Sequence, residues 1–254
     1  MDEWLILLLV CGAFGAGFVD AVVGGGGLIQ IPLLFSAFPT TTPATLFGTN
    51  KIASVVGTAT ASIQYARRLP LDLRLTLTGV MFALIGAWLG ANSVSYLDPT
   101  LVRPLVLVLL IAVAIYTFRD KHFGQDNQRR PPSLTVQQRR IALIALVIGY
   151  YDGFFGPGTG SFFIFLLVRY LGMNFLSASA TAKVLNFSTN LAALSFFSLT
   201  GAVLWKVGLL MAAANLFGAL TGSHLALRHG ASFVRKLFLI VVVCLITRQA
   251  WDLL

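Results

Sequence analysis

The sequence predicts an all-α polytopic membrane protein of two inverted-topology repeats. Each repeat has about five helical segments, with broken or re-entrant helices at glycine motifs. Three observations carry this reading: a composition poor in charge, a long gapless internal repeat, and a run of glycines at the same place in each half.

Of 254 residues, 57% are hydrophobic and 11% charged, whereas soluble domains carry roughly 25% charged residues. So few charges leave a soluble globule of this size without a polar cover, which excludes a soluble enzyme. Residues 21–50, 75–97 and 184–205 contain no charged side chain at all. Each stretch is long enough to cross a bilayer core as a helix of about 20 residues. The net charge of +9 does not point to nucleic acid, because no soluble domain exists to carry a binding face. The basic residues cluster in short loops instead: Arg67, Arg68 and Arg74, then Arg119, Lys121, Arg129, Arg130, Arg139 and Arg140. Cytoplasmic loops have this character. Cys11 and Cys244 sit in apolar runs and read as small hydrophobes. His122, His224 and His229 have no ligand spacing, so neither a metal nor a cofactor is expected. The start, Met1-Asp2-Glu3, lacks a basic region, and the first segment is expected to be retained.

A shift of 132 residues superposes Gly17 on Gly149, Asp20 on Asp152, Gly24 on Gly156, Gly26 on Gly158, Thr49 on Thr181 and Lys51 on Lys183. It continues through Gly86 on Gly218, Gly90 on Gly222 and Arg103 on Arg235. A repeat comes before any other fold argument. The apolar pieces are 4–22, 28–38, 44–66, 75–95 and 101–118, then 141–155, 160–171, 176–199, 206–227 and 231–247. Residues 1–118 form the first repeat, 119–140 a polar cytoplasmic linker and 141–254 the second repeat. Loop 67–74 is basic and its counterpart 199–206 holds only Lys206; loop 96–100 has no basic residue and 228–236 holds Arg228, Arg235 and Lys236. The exchange of the basic side predicts inverted halves with both termini outside. Eight to ten spans are expected, since the second piece of each half is short. Inverted repeats are a hallmark of secondary transporters.

Gly24, Gly25, Gly26 and Gly27 follow Asp20, and Gly156-Pro157-Gly158-Thr159-Gly160 follows Asp152. Consecutive glycines cannot hold a helix, at about 1 kcal/mol each relative to alanine. The chain is therefore expected to unwind at membrane depth, where its backbone must face protein or a water-filled cavity. The helix that restarts offers free amides and a positive dipole end to an anion. The alternative is that the glycines serve close packing alone. Nothing supports a nucleotide loop, for no Gly-Lys-Ser/Thr ending and no strand are present.

Lys51 and Lys183 stand in otherwise uncharged segments, in Thr49-Asn50-Lys51 and Thr181-Ala182-Lys183. An intramembrane charge is a functional hypothesis by default. Lys51, Ser54 and Thr58 share a helical stripe, as do Lys183, Asn186 and Asn190. These donors suit a small oxyanion. An Asp20–Lys51 or Asp152–Lys183 ion pair of purely structural purpose stays open, as buried charges need partners. So does a lysine that snorkels to the surface. Gly86-Ala87-Trp88-Leu89-Gly90 and Gly218-Ala219-Leu220-Thr221-Gly222 are expected to bring helices close.

The segment Gly17–Leu28 followed by Thr49-Asn50-Lys51 resembles the first half of the TauE/SafE family, the sulfite exporter or 4-toluene sulfonate uptake permease family. Gly149–Gly160 with Thr181-Ala182-Lys183-Val184-Leu185-Asn186 resembles its second half. The resemblance covers essentially the whole chain. It implies a bacterial inner-membrane transporter for sulfite, sulfonates or related sulfur-containing anions, often working as an exporter. By position it implies signatures at Gly24–Gly27, Thr49, Asn50 and Lys51, and at Gly156, Pro157, Gly158, Thr159, Lys183 and Asn186. Ala182 departs from Asn50, so the half-sites need not bind alike.

The expected function is a secondary carrier of sulfite or an organosulfonate working by alternating access. Its substrate-binding residues would be Gly24, Gly25, Gly26, Gly27, Thr49, Asn50, Lys51, Gly156, Gly158, Thr159, Thr181, Lys183, Asn186 and Asn190. Asp20 and Asp152 would pair with the lysines or relay a proton. An anion channel, or a carrier of another small carboxylate or oxyanion, stays open, as do ion coupling and a homo-oligomer. A membrane-protein assembly factor has little support, and a membrane enzyme has no visible catalytic constellation.

Overall fold

The computed structural model describes residues 3–96 and 133–251. The expected segment 101–118 and residues 119–132 of the linker lie outside the described residues. Those described are helical, with no strand among them. The first half supplies α1 (Glu3–Val23), α2 (Gly27–Ala37), α3 (Pro43–Ala66) and α4 (Leu73–Asn92). The second supplies α5 (Leu134–Phe154), α6 (Thr159–Leu171), α7 (Phe175–Leu199) and α8 (Trp205–Trp251), the last interrupted by non-helical Gly230. Starts of α2, α3 and α4 fall 132 residues before those of α6, α7 and α8. The offset read in the sequence is thus also an offset of helix boundaries.

Local chemistry sets these boundaries. Asp72 and Asn174 cap α4 and α7, accepting from the amides of Leu75 at 3.0 Å and Ser177 at 2.8 Å. Pro43 opens α3 at a position where its missing N–H has no helical partner. Helix α5 begins earlier than the linker boundary suggests and takes in Arg139 and Arg140. Arg140 Nη1 donates to the Tyr170 carbonyl at 2.7 Å, joining the early part of α5 to the end of α6. The pair therefore turns back on itself as a hairpin. Helices α1 and α2 do the same, Gly12 of the first lying against Leu33 of the second. Helix α2 spans roughly 16 Å at 1.5 Å per residue, too short to cross a bilayer.

Three described helices are long and apolar enough to cross a membrane: Glu3–Val23, Leu73–Asn92 and Trp205–Gly230. Helices α3 and α7 are longer than α4 but bury Thr49, Asn50 and Lys51, and Lys183, Asn186 and Asn190. Each lies inside the bundle with its polar face turned inward, which lowers its overall apolarity without exposing charge to lipid.

The halves interlock. Helix α4 packs on α5 and α7 of the second half, and α8 packs on α1 and α3 of the first. Both outer seams are cut from glycine. A Cβ on Gly86 or Gly90 would sit 2.3 Å from the Leu146 carbonyl oxygen and 2.0 Å from that of Tyr150. A Cβ on Gly218 or Gly222 would sit 2.0 Å from the Phe14 oxygen and 2.4 Å from that of Phe18. The small-residue motifs are packing elements, as expected: only a missing Cβ lets the backbones approach so closely.

Gly90→Val and Gly218→Val should each destabilise the fold by roughly 1–3 kcal/mol, the usual range for overpacking. Thermal melts in detergent would check this. Gly15→Val, where a Cβ meets open space, should stay near wild type.

Candidate substrate site

The α1–α2 hairpin tip meets the α5–α6 tip at the centre of the molecule. Helix α1 ends at Val23, and Gly24 takes a positive φ of 80° that a side chain would strain. Its counterpart Gly156 has φ 92°. A Cβ on Gly24 would fall 2.3 Å from the Gly160 backbone, and one on Gly160 would fall 2.4 Å from Gly24. The two tips thus touch backbone to backbone.

Breaking a helix in the interior leaves its last carbonyls without intrahelical donors, and each needs a partner there. For α1, Tyr65 Oη donates to the Ala21 carbonyl at 3.1 Å and Ser161 Oγ to that of Val23 at 2.8 Å. The Ser161 amide donates to the Gly24 carbonyl at 3.1 Å, and Lys183 Nζ donates to that of Asp20. For α5, Lys51 Nζ donates to the Asp152 carbonyl at 2.8 Å. Each lysine is therefore a cap on the C-terminal end of the opposite half's broken helix, where a cation also complements the helix dipole.

This crossing replaces the within-half pairs anticipated from the sequence. Lys51 bonds Asp152, not Asp20, and Lys183 bonds Asp20, not Asp152. The reason is geometric: α3 and α7 pack side by side, and each presents its lysine to the hairpin across the centre. Both lysines are buried, at 2% and 0% exposure, which removes the snorkelling alternative.

The two clusters differ. Lys51 uses all three donors, on the Asp152 carbonyl, on Asp152 Oδ2 at 2.9 Å and on Asn190 Oδ1 at 3.0 Å. Asp152 Oδ1 lies 2.8 Å from Thr159 Oγ1, whose one proton is shared between that carboxylate and the Gly156 carbonyl at 2.7 Å. Asn190 Nδ2 in turn donates to the Asn186 carbonyl at 2.7 Å. At the corresponding first-half positions Gly27 replaces Thr159 and Thr58 replaces Asn190. The Thr58 hydroxyl turns back to the Ser54 carbonyl at 2.6 Å, and the Asp20 carboxylate accepts only from the Gly26 amide, at 3.3 Å, among the described residues.

A small polar cavity lies between the clusters. Asp20, Gly24, Gly27, Asn50, Lys51 and Ser54 border it from the first half; Asp152, Gly156, Thr159, Gly160, Asn186 and Asn190 border it from the second. Its volume is about 20 Å³, little more than the ~10–15 Å³ one water needs. A sulfur oxyanion does not fit until the tips part. Asn50 Oδ1 is buried there without a hydrogen-bond partner among the described residues. Gly27 and Gly160 bring first-turn helix positions, where amides lack intrahelical acceptors, to the same wall.

The other anticipated residues lie around this cavity. Thr49 Oγ1 donates to the Thr45 carbonyl at 2.7 Å and accepts from the Leu204 amide at 2.9 Å, tying α3 to the loop before α8. Thr181 is buried on α7 and Lys183 sits behind the wall beside Asp20. Gly25, Gly26 and Gly158 shape the tips. Ser54 and Gly160 were not among the anticipated site residues. Ser54 lies on the Lys51 stripe and Gly160 ends the second glycine break; the contact of Gly160 with Gly24 is what puts it on the wall.

Lys51→Met and Asp152→Leu should each lower stability by about 3–5 kcal/mol, because each leaves a buried charge unpaired. The double variant should recover most of that loss. Parallel melts of the singles and the double provide the check.

Known proteins resemble this chain over nearly its whole length. The family described as "Sulfite exporter TauE/SafE" matches residues 8–248. A Sinorhizobium protein named "Probable membrane transporter protein ORF9" is 39% identical, covering 98% of this chain and 93% of its own. A Haemophilus influenzae "Probable membrane transporter protein" is 34% identical, covering 98% and 95%. The Escherichia coli K12 "Probable membrane transporter protein YfcA" is 35% identical, covering 93% and 86%. No solved structure matches significantly. With homologues named as membrane transporters and with apolar spanning helices, this chain is a multi-pass membrane transporter protein, and it belongs to the TauE/SafE sulfite exporter family.

Proposed function

We propose that the protein is a secondary carrier that exports a small sulfur-containing anion, sulfite or an organosulfonate, across the bacterial inner membrane. The observation that carries the reading is the buried polar cavity between two broken-helix tips, with the Asn50 side-chain amide and two first-turn helix positions on its wall. Water-lined irregular backbone at membrane depth is where carriers bind their cargo. The family description supports a sulfur oxyanion and the outward direction. Asn50, Asn186, Asn190 and Thr159 would donate to the anion, with Lys51 supplying positive charge from behind Asp152. The two halves would be inverted, with both termini outside and the basic loops in the cytoplasm.

The interlocking of the halves shapes the motion. One hydrophobic cluster joins α1, α2 and α3 to α8; the larger one joins α5, α6 and α7 to α4 and also takes in Val22, Val23, Leu28, Tyr65, Ala226 and Val234 near the centre. In this reading the rocking bodies are three helices of one half with the fourth of the other. They would part along the polar faces of α3 and α7 and at the hairpin tips, giving each membrane side access in turn.

Counterflow of labelled sulfite into proteoliposomes preloaded with unlabelled sulfite tests the proposal. Transient accumulation of label is the carrier's signature; a pore gives equilibration alone. Asn50→Ala, which copies the Ala182 of the second half, should melt near wild type and lose roughly tenfold in counterflow rate, the loss expected for one good hydrogen bond. Full counterflow in Asn50→Ala would remove Asn50 from the site. Absence of label accumulation with sulfite, and with a panel of sulfonates and carboxylates, would sink the carrier reading.

A further inference from the structure

Resting on that reading, we infer that anion binding is coupled to protonation of one particular carboxylate, Asp20, so that the anion crosses together with a proton. The argument begins with charge. Lys51 and Lys183 balance Asp20 and Asp152, so the centre is neutral before an anion enters. An anion would leave it with a net negative charge at membrane depth, which is costly. Taking up one proton on a carboxylate restores neutrality.

The geometry selects the carboxylate. Asp152 is 2% exposed; one carboxylate oxygen is held by Lys51 at 2.9 Å, and the other shares the Thr159 hydroxyl, at 2.8 Å, with the Gly156 carbonyl. Protonating it breaks a charge-assisted bond and frees Lys51 as an unpaired buried cation. Asp20 is partly accessible and borders the cavity. Its carboxylate holds one long bond, from the Gly26 amide at 3.3 Å, and Lys183 spends its bond on the backbone carbonyl instead. A proton can therefore reach Asp20 without breaking a direct carboxylate–lysine bond, and Lys183 keeps its bond to the Asp20 backbone carbonyl.

Among the described residues, Lys51 on α3, Lys183 on α7 and Asp152 on α5 are the titratable groups beside Asp20, and Asp152, the one rival carboxylate, is already bonded to Lys51. Tyr65 on α3 donates to the neighbouring Ala21 carbonyl. Helix α2 contributes no titratable residue, and on α6 Arg169 and Tyr170 stand at the end far from Gly160. On α8, Lys206, His224, Arg228, His229 and Lys236 are exposed. The cycle balances: a proton leaves water on the side the anion enters, forms an O–H bond at Asp20, and returns to water where the anion leaves.

The asymmetry is written in the sequence. Gly27 stands where the second half has Thr159, so Asp20 lacks the hydroxyl that clamps Asp152. A threonine at 27 would restore it, since a Cβ there meets ordinary contact, with Pro157 Cα at 3.4 Å.

Labelled sulfite counterflow, net sulfite flux and proton movement measured in the same proteoliposomes test the inference. Wild type should move about one more proton per sulfite than Asp20→Asn, a difference that cancels the proton equilibrium of sulfite itself. Net flux in Asp20→Asn should also respond more strongly to an imposed membrane potential, because its cargo has lost a compensating positive charge. Gly27→Thr provides a second route should Asp20→Asn fail to fold: its flux–pH profile should move to lower pH, since the added hydroxyl favours the carboxylate. Counterflow with equal proton movement in wild type and Asp20→Asn, or an unmoved profile in Gly27→Thr, overturns the inference and leaves the carrier reading standing. No counterflow in folded wild type, for sulfite or the wider panel, overturns both.

Discussion

The structure depends on capping two helix ends that stop in its interior. A helix that breaks at Gly24 or Gly156 strands its last carbonyls away from bulk water, and unsatisfied groups there cost several kcal/mol each by the transfer of peptide groups to an apolar medium. The chain answers with a lysine from the other half at each end: Lys183 on the Asp20 carbonyl and Lys51 on that of Asp152. These bonds explain why charged residues sit in otherwise apolar helices, why α3 and α7 run through the middle, and why neither half can close its own centre. Burial of the lysines follows from the same need, because a cation at a helix C-terminus gains from the dipole it meets.

The duplication is kept where backbones touch and in the Asp20/Asp152 and Lys51/Lys183 pairs, and it is lost at several of the neutral positions around the cavity. Gly86, Gly90, Gly218 and Gly222 retain their correspondence, each within a distance that no Cβ tolerates. At the centre, Asn50 corresponds to Ala182, Gly27 to Thr159 and Thr58 to Asn190 in the repeat. Packing constrains both copies alike, since the seam geometry is the same on each side. The polar positions answer to a shared cavity, and a shared cavity needs its groups supplied once, by whichever half. That is how one cluster can be tightly bonded and the other loosely held without disturbing the shell.

Much of this was legible in the chain. The 132-residue offset, the glycine breaks, the lysines and the close-packing motifs are all local signals, and each corresponds to a feature of the structure. The crossed pairing was not, because an offset tells which residues correspond but not which are neighbours. Asp20 and Lys51 are close in sequence and look like partners, yet the hairpin carries Asp20 toward α7. Thr49 repeats at Thr181, and its hydroxyl ties α3 to the Leu204 amide, a long-range contact that nothing in its neighbourhood announces. The early start of α5 was hidden for a related reason: Arg139 and Arg140 read as linker by charge, while Arg140 is drawn into the helix by its bond to the end of α6.

The distribution of close contacts also says where the molecule resists deformation. Along the glycine seams, α4 against α5 and α8 against α1, backbone carbonyls lie where a Cβ would otherwise be, and sliding such surfaces forces clashes at every turn. Across the centre the tips are joined by the Ser161 bonds to Val23 and Gly24 and by the contact of Gly24 with Gly160. Polar side chains facing a cavity can exchange these partners for water or an anion, whereas a packed seam has nothing to exchange. Separation at the centre is therefore the less costly deformation. The lysines that reach from α3 and α7 to the tips need acceptors if those bonds open, and an oxyanion with several acceptor oxygens is chemically able to supply them.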